Sequence, residues 1–112
     1  MIVIGAPYWD GSFPSSLKAY IENIYVTGIV SEYDDKGGVV GLCKADKLYY
    51  VTTAGGPYES EYSYGYIKKL SGHFGIKNTE LIYAENLDIA GNDPETILRE
   101  AIENIETRSI LV

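Results

Sequence analysis

The chain has 112 residues, which is enough for one domain with a modest core and too few for two. Its formal net charge of −7 argues against binding to nucleic acid or to an anionic membrane surface, since both need a basic footprint. The single cysteine, Cys43, leaves no intramolecular disulfide, and no apolar run reaches the roughly 20 residues of a membrane span. We therefore expect a cytoplasmic globular protein.

The chain is predicted to begin with a strand, a loop and a helix. Residues 1–6 form a continuous apolar run, which is typical of a strand covered on both faces in a parallel sheet. A helix is predicted over residues 14–26, because apolar residues recur there at helical spacing and Pro14 suits a first turn. Residues 27–46 are predicted to be an irregular connection, with a strong turn signal at residues 34–38.

Two further strand–helix units follow along the chain. A strand is predicted over residues 47–53 and a helix over residues 60–74, closed by a left-handed Gly75. The third unit is a strand over residues 79–84 and a helix that begins at Pro94, with Asp93 as its N-cap residue. Residues 109–112 are either an added strand or a frayed end. Strands that alternate with helices predict a parallel sheet with right-handed crossovers.

Two loops follow predicted strands directly, at the place where open α/β sheets bind ligands. The first loop, residues 7–13, offers Tyr8 and Trp9 as flat apolar surface and an Asp10-Gly11 pair that turns the backbone. Such a loop suits a planar aromatic ring. The alternative is a strand-to-helix turn whose aromatic side chains simply cover the core.

The second loop, residues 53–58, holds Gly55 and Gly56 immediately after a strand. Successive backbone amides in such a loop can form a concave site for an anion or a carbonyl oxygen. The alternative is a plain glycine turn. Since both loops are expected at neighbouring strand ends, they predict a shared binding site.

No protein side chain is predicted to act as a catalytic group or a metal ligand. No serine lies in a nucleophile-elbow pattern, no Cys–His pairing is evident, and the acidic residues lack metal-ligand spacing. The only histidine, His73, is expected to serve as a cation at a helix end or in packing. The tyrosines of residues 58–66 are expected in the core or at a subunit contact.

Several segments of the chain, taken in order, resemble the FMN-dependent NADH-azoreductase and NAD(P)H:quinone reductase family. Residues 6–10, Ala-Pro-Tyr-Trp-Asp, and then Pro14 followed by residues 17–22, Leu-Lys-Ala-Tyr-Ile-Glu, resemble the family's strand, loop and following helix. No single motif is specific, but the set covers essentially the whole chain in order. The likeness continues through Gly28, Tyr33, residues 41–42, residues 51–56, residues 72–76 and residues 84–85.

The resemblance implies a fold, a cofactor and a reaction. The fold would be an α/β, three-layer, flavodoxin-like parallel sheet, with residues 1–112 forming a single partial domain. NAD(P)H would reduce FMN, and the flavin would pass two electrons to a quinone, azo or nitro compound. The cofactor supplies that chemistry, while the protein supplies placement and electrostatics.

The resemblance also assigns site residues in this chain. The first loop would flank the flavin ring through stacking and backbone amides, and the second would contact its pyrimidine side. Tyr33 would lie near the ring, within one subunit or across a subunit boundary. The full set of cofactor-binding residues is Pro7, Tyr8, Trp9, Asp10, Gly11, Tyr33, Thr53, Ala54, Gly55, Gly56 and Tyr58.

The chain departs from the family pattern in three respects. Asp10 stands where the family often has Asn, and Tyr58 stands where close relatives have His. The family's first two strands, first helices and phosphate-binding serine loop have no counterpart in the sequence. We therefore expect truncation of the sheet, and weak or absent FMN binding by the isolated chain.

The same departure predicts that residues 2–4 form an exposed apolar edge strand, which is prone to association. We expect that edge to pair with a second copy in a homo-oligomer, with residues 110–112, or with a separate N-terminal piece. Two other functions remain open at this stage. One is a non-catalytic flavodoxin-like remnant that acts as an oligomerisation or interaction module. The other is a signalling receiver, for which the required acidic residues and lysine cannot be placed.

Overall fold

The computed structural model describes residues 1–108, so the predicted tail at residues 109–112 lies outside the described residues. Strands and helices alternate as the sequence predicts, with a short hairpin added between the first two units. The elements are β1 (Ile2–Gly5), α1 (Ser15–Ile24), β2 (Ser31–Tyr33), β3 (Val39–Gly41), β4 (Lys47–Thr53), α2 (Tyr64–Phe74), β5 (Asn78–Ala84) and α3 (Pro94–Thr107).

The main sheet has three parallel strands in the order β1-β4-β5. Ile2 lies opposite Leu48 and Lys47 lies opposite Asn78, so β4 is paired on both sides. The predicted parallel sheet is confirmed. Within the described chain β1 is paired on one side only, which agrees with the predicted edge strand.

The expectation that the first strand is covered on both faces is wrong. Residues along β1 alternate between half-buried and exposed, and Val3 is 53% exposed. Ile2 and Ile4 pack against the core on one face, while Val3 lies on the other. A continuous apolar run therefore does not distinguish a central strand from an edge strand with one covered face.

The helices cover opposite faces of the sheet, which gives three layers. On β5, the Thr79 hydroxyl is 3.0 Å from the Tyr64 hydroxyl of α2. The next residue, Glu80, accepts a hydrogen bond of 3.2 Å from Arg108 at the end of α3. Since consecutive residues of a strand point to opposite faces, α2 and α3 lie on opposite sides of the sheet.

The core lies between the sheet and the helices α1 and α2. Its centre is Tyr50 in β4, which has no solvent-exposed surface. The helix α3 adds little to it, because no residue of α3 is buried and Ile102 is 56% exposed. The other buried members of the core are Ala6, Ile21, Leu48, Ile67, Leu70, Phe74 and Ile76.

The predicted irregular connection is partly wrong, because β2 and β3 pair there as an antiparallel hairpin. The predicted turn between them is confirmed. The Asp34 carboxylate accepts hydrogen bonds from the backbone N–H groups of Lys36 and Gly38, at 2.9 and 2.7 Å. Strands of three residues are too short to show a period in the sequence, so only their turn was visible.

The ends of the helices are set by local hydrogen bonding and capping, and the apolar periodicity of the sequence locates them less well. Pro14 precedes α1 as its N-cap residue and is not in its first turn. The helix α2 begins at Tyr64, four residues later than predicted, because the Ser60 carbonyl accepts from the N–H groups of Ser63 and Gly65 in a preceding turn. The left-handed Gly75 and the Asp93 cap of α3 are both confirmed.

Candidate functional site

The two loops lie side by side at the carboxyl edge of the sheet. The N–H of Ala6 donates to the Val51 carbonyl at 3.0 Å, and the N–H of Tyr8 donates to the Thr53 carbonyl at 3.1 Å. These bonds continue the β1–β4 pairing beyond the end of β1. The predicted adjacency of the loops therefore follows from the parallel register of their strands.

The first loop contains a tight two-residue turn at Asp10 and Gly11. Both residues have positive φ, of 50° and 77°, which is the conformation of a type I′ turn and is favoured by an Asp-Gly pair. Trp9 and Ser12 flank the turn and exchange backbone hydrogen bonds of 3.2 and 2.9 Å. The backbone around Asp10 is thus held by its own turn chemistry.

An aromatic row crosses the carboxyl edge of the sheet, with one tyrosine from the end of each parallel strand. The rings of Tyr8 and Tyr58 meet edge to face at 4.9 Å, and those of Tyr58 and Tyr83 lie 5.2 Å apart. Tyr83 was missed by sequence reasoning. Its register opposite Thr52 in β4 is the feature that places it beside the second loop.

Tyr58 is fixed at both its backbone and its hydroxyl group. Its N–H donates to the Glu85 carboxylate at 2.8 Å, and its hydroxyl lies 2.7 Å from that of the fully buried Ser63. The phenol group therefore points to the protein interior, and the ring contacts Tyr8 on one side and Tyr83 on the other.

A fully buried phenol lies beneath this row. The hydroxyl of Tyr50 has no hydrogen-bond partner among the described residues, and the same holds for the buried hydroxyl of Thr52 two residues along β4. Burial raises the pKa of Tyr50 to about 12, with the nearby Tyr58 phenol as a smaller cause. Tyr50 therefore stays protonated at neutral pH.

The second loop is tied to the segment that follows β5. The carbonyls of Ala54, Gly55 and Gly56 accept from the N–H groups of Leu87, Asp88 and Asn86, at 2.9–3.2 Å. A Cβ at Gly55 would lie 3.2 Å from that of Asp88, whereas one at Gly56 would have nothing within 4 Å. Open space therefore lies above Gly56.

Trp9 faces a different space, a cleft of about 880 Å³ between the first loop and the start of α2. Asp10 also lines this cleft, but Gly55 and Gly56 do not. Of the two loops, the cleft therefore belongs to the first alone, whereas the sequence predicted a site shared by both loops. The cleft is lined by four aromatic residues, Trp9, Phe13, Tyr62 and Tyr66. Neither the cleft nor Tyr62 was among the site features predicted from the sequence.

Within one chain, Tyr33 lies far from the two loops. It lies in the β2–β3 hairpin, whose Gly41 touches Gly75 at the C-terminal end of α2. Because β4 and β5 are parallel, α2 runs back between them, and its C-terminal end lies at the opposite edge of the sheet from the loops. A role for Tyr33 at the site would therefore need a second copy.

No helix in residues 1–108 is long and apolar enough to cross a membrane. His73 lies at the end of α2, where its Nδ1 is 3.2 Å from the Tyr25 hydroxyl. It is thus part of the packing between α1 and α2 and lies far along the helix from the loops.

A family profile described as the flavodoxin-like fold matches residues 1–108. Among curated relatives, an FMN-dependent NADH:quinone oxidoreductase 2 of Clostridium acetobutylicum is 42% identical over 113 residues, covering 96% of this chain and 56% of the relative. An FMN-dependent NADH:quinone oxidoreductase of Clostridium beijerinckii is 42% identical over 104 residues, covering 90% of this chain and 52% of the relative. The chain thus spans about half the length of the curated relatives it matches.

The solved structures that resemble this chain are also about twice its length. An FMN-dependent NADH-azoreductase from Bacillus anthracis, in complex with FMN, superposes with a TM-score of 0.78 at 28% identity, covering 95% of this chain and 52% of that chain. An azoreductase from another strain of that species has the same TM-score and identity over 91% of this chain and 51% of that chain.

Proposed function

The chain belongs to the family of the flavodoxin-like fold, and we propose that it is part of an FMN-dependent oxidoreductase acting on quinone, azo or nitro acceptors. In this reaction NADH or NADPH gives a hydride, a proton comes from solvent, and the acceptor gains both. The observation that carries the proposal is the hydrogen bond between Tyr8 and Thr53, which brings the two candidate loops side by side in a chain that is 42% identical to an FMN-dependent NADH:quinone oxidoreductase over 113 residues.

The residues at the loops fit a flat ring system. Gly56 has no positive φ, and a Cβ added to it would have no neighbour within 4 Å, so neither backbone conformation nor packing requires glycine there. A missing side chain at that position keeps the surface of the loop open. The ring of Tyr8 and the Asp10-Gly11 turn border the same edge of the sheet.

When bound, FMN would supply the two-electron chemistry between NAD(P)H and the acceptor. The chain would bind and orient it. Pro7, Tyr8, Gly11, Thr53 and Ala54 would contribute backbone and ring surface, with Gly55 and Gly56 giving close approach to the backbone. Tyr58 would hold Tyr8 in place through their edge-to-face contact, because its own phenol is directed at Ser63.

We include Asp10 and Trp9 in this proposal as residues at the border between the loops and the neighbouring cleft. Tyr33 would serve the site of a second copy, since its own hairpin lies at the opposite edge of the sheet. A cytoplasmic location is consistent with the single cysteine, which forms no disulfide within the chain. Residues 1–112 would belong to one flavodoxin-like domain.

The experiment is an FMN titration of the purified chain, followed by flavin fluorescence, with NADH added at the end. We expect weak but saturable quenching, because the phosphate-binding serine loop of the family has no counterpart in the sequence, and then loss of oxidised-flavin absorbance when NADH is added. Gly56→Val should weaken FMN binding at least about ten-fold by filling the open space. Gly72→Val is the matched control, because a Cβ at Gly72 also meets nothing within 4 Å and lies on α2. No binding at high micromolar FMN, or equal effects of both variants, would contradict the proposal.

The alternative is a non-catalytic module that associates through the β1 edge. Exposed apolar side chains near that edge favour it, with Val3 53% and Tyr20 62% exposed. Sedimentation of Val3→Lys tests this function, because a charge at an edge strand opposes pairing. Loss of self-association together with absent FMN binding would favour the module over the enzyme.

A further inference from the structure

The second loop has a one-sided pattern of backbone hydrogen bonds. All three carbonyl groups of residues 54–56 accept hydrogen bonds from the segment after β5, residues 86–88, at 2.9–3.2 Å. The N–H groups of Gly55 and Gly56 have no hydrogen-bond partner among residues 1–108. The loop therefore uses its acceptors within the protein and leaves two adjacent donors unpaired, which is the polarity of a site for a hydrogen-bond acceptor.

The N–H groups on either side of these two donors are withheld from a ligand. Ala54 donates its N–H to the Ala84 carbonyl at 2.9 Å. Pro57 has no N–H to donate. The N–H of Tyr58 donates to the Glu85 carboxylate at 2.8 Å, and this is the one bond of the set that a side chain makes. Glu85 therefore determines where the run of unpaired donors ends.

The Glu85 side chain is committed to this single contact. It is half-buried at the end of β5, and within residues 1–108 its carboxylate makes no ion pair and no other hydrogen bond. Partial burial of a carboxylate is costly unless a hydrogen bond compensates, and a bond to an ionised acceptor is stronger than one to a neutral acceptor. The bond from Tyr58 therefore fastens the loop firmly to β5.

The unpaired donors lie between two attachments of the loop to β5. Ala54 is held at the near end by the backbone of Ala84, and Tyr58 is held at the far end by the side chain of Glu85. Gly55 and Gly56 lie between them and have no side chains to restrict their backbone. The direction of their N–H groups therefore depends on both attachments and on the bonds from residues 86–88.

We propose that Glu85 is a positioning residue for the proposed flavin site. Its carboxylate holds Tyr58 so that the N–H groups of Gly55 and Gly56 stay available to the acceptor atoms at one edge of a bound ring. Glu85 acts through the loop and does not contact the ring itself. The identity of the ring rests on the proposed function, whereas the hold of Glu85 on the loop does not.

The binding test uses lumiflavin, the ring system of FMN without its phosphate, and follows quenching of its fluorescence by the whole chain. Glu85→Ala should weaken lumiflavin binding about ten-fold, because the loop loses its far attachment. Glu85→Gln keeps an oxygen acceptor at the same reach and should bind within about two-fold of the unmodified chain. Glu85→Asp keeps the charge but is one methylene shorter, so it should resemble Glu85→Ala.

Glu59→Ala is the matched control. Glu59 follows Tyr58 directly, and its exposed carboxylate has no partner in the described part of the chain. Its loss removes the same charge from the same segment and should leave lumiflavin binding unchanged. Circular dichroism checks that every variant folds.

A second measurement needs no flavin. In ¹⁵N NMR spectra of the free chain, Glu85→Ala should shift the amide signals of Gly55 and Gly56 and accelerate hydrogen exchange at Tyr58. Glu85→Gln should restore all three amides, and those of β1 should not change in either variant. A general loss of stability would instead accelerate exchange throughout the sheet.

The outcomes separate the positioning role from the flavin function. Equal lumiflavin affinity of the unmodified chain and both Glu85→Ala and Glu85→Asp would overturn the positioning role and keep the flavin function. Glu85→Gln as weak as Glu85→Ala would assign the effect to charge and would also overturn it. Glycine amides that depend on Glu85, in a chain that binds no lumiflavin, would support the hold on the loop and reject the flavin function.

Discussion

Gly41 and Gly75 bring two backbones into direct contact. Gly41 ends β3, and Gly75 caps α2 with a φ of 87°. A Cβ on Gly41 would collide with the backbone of Phe74 and Gly75, and one on Gly75 would lie 3.1 Å from the Gly41 Cα. The neighbouring bond from the Cys43 N–H to the Phe74 carbonyl, at 2.9 Å, holds the hairpin against the helix end.

We predict that Gly41→Ala lowers the free energy of unfolding by roughly 2–3 kcal/mol, because backbone atoms cannot rotate away as a side chain can. Urea unfolding followed by circular dichroism measures the change. Gly72→Ala is the control, since a Cβ there meets open space on α2 and should stabilise the chain by about 0.5–1 kcal/mol. A Gly41→Ala chain as stable as the unmodified one would contradict the close contact.

The sequence predicts what local patterns determine. The strands β4 and β5 stand out by β-branched and aromatic residues, and the ends at Gly75 and Asp93 follow from single residues with strong preferences. The role of Gly41 was not predictable in this way. Its partner Gly75 is far along the chain, and only the assembled hairpin and helix bring them together.

Some features of the candidate site were predictable from the sequence and others were not. Parallel topology alone predicts that Tyr8 and Thr53 are neighbours, because strands that run together end together. The positions of Trp9 and Tyr83 depend on a turn geometry and a strand register, which composition does not specify. Consequently nothing in the sequence indicated that Trp9 faces a cleft away from Gly55.

Tyr50→Phe should leave the free energy of unfolding at pH 7 within about 1 kcal/mol of the unmodified value. The hydroxyl that it removes is buried and has no partner among the described residues, so its loss removes a desolvation cost and no hydrogen bond. Tyr58→Phe provides the comparison. It removes the bond to Ser63 and should cost about 1 kcal/mol in the same urea experiment.

The raised pKa of Tyr50 also predicts a pH dependence above pH 10. The folded-state pKa of about 12 exceeds the ordinary value of 10.0, so the folded chain retains the proton that the unfolded chain loses. Stability is therefore complete below pH 10 and falls between pH 10 and 12. From pH 8 to 11 the unmodified chain should lose about 1.4 kcal/mol more than Tyr50→Phe. Parallel losses in both chains would contradict a protonated, buried phenol.

Asp93→Ala should loosen α3. The Asp93 carboxylate accepts from the Glu95 N–H at 3.3 Å and from the Thr96 hydroxyl at 2.6 Å, and no residue of α3 is buried to compensate. Loss of the cap should cost about 1 kcal/mol. Amide hydrogen exchange should accelerate in α3 and stay unchanged in β4. Thr96→Val should show a smaller effect, because it removes the hydroxyl bond but keeps the bond from the Glu95 N–H to the Asp93 carboxylate.

Asp10→Asn should leave the turn intact and change the reduction potential of the proposed cofactor. Asn tolerates the left-handed φ of 50° at this position at least as well as Asp, so the free energy of unfolding should change by less than about 0.5 kcal/mol. Removing a negative charge beside a bound flavin favours its reduced, anionic form. We therefore expect the midpoint potential of the bound flavin to rise, by an amount on the order of 10–30 mV.

The potential is measured by reductive titration against a reference dye at low salt, where charge effects are least screened. Asp35→Asn is the matched control, because it removes the same charge from the exposed β2–β3 turn at the opposite edge of the sheet. Equal shifts in both variants would attribute the effect to net charge alone. A shift confined to Asp10→Asn would place that carboxylate next to the flavin, as the proposed role of the first loop predicts.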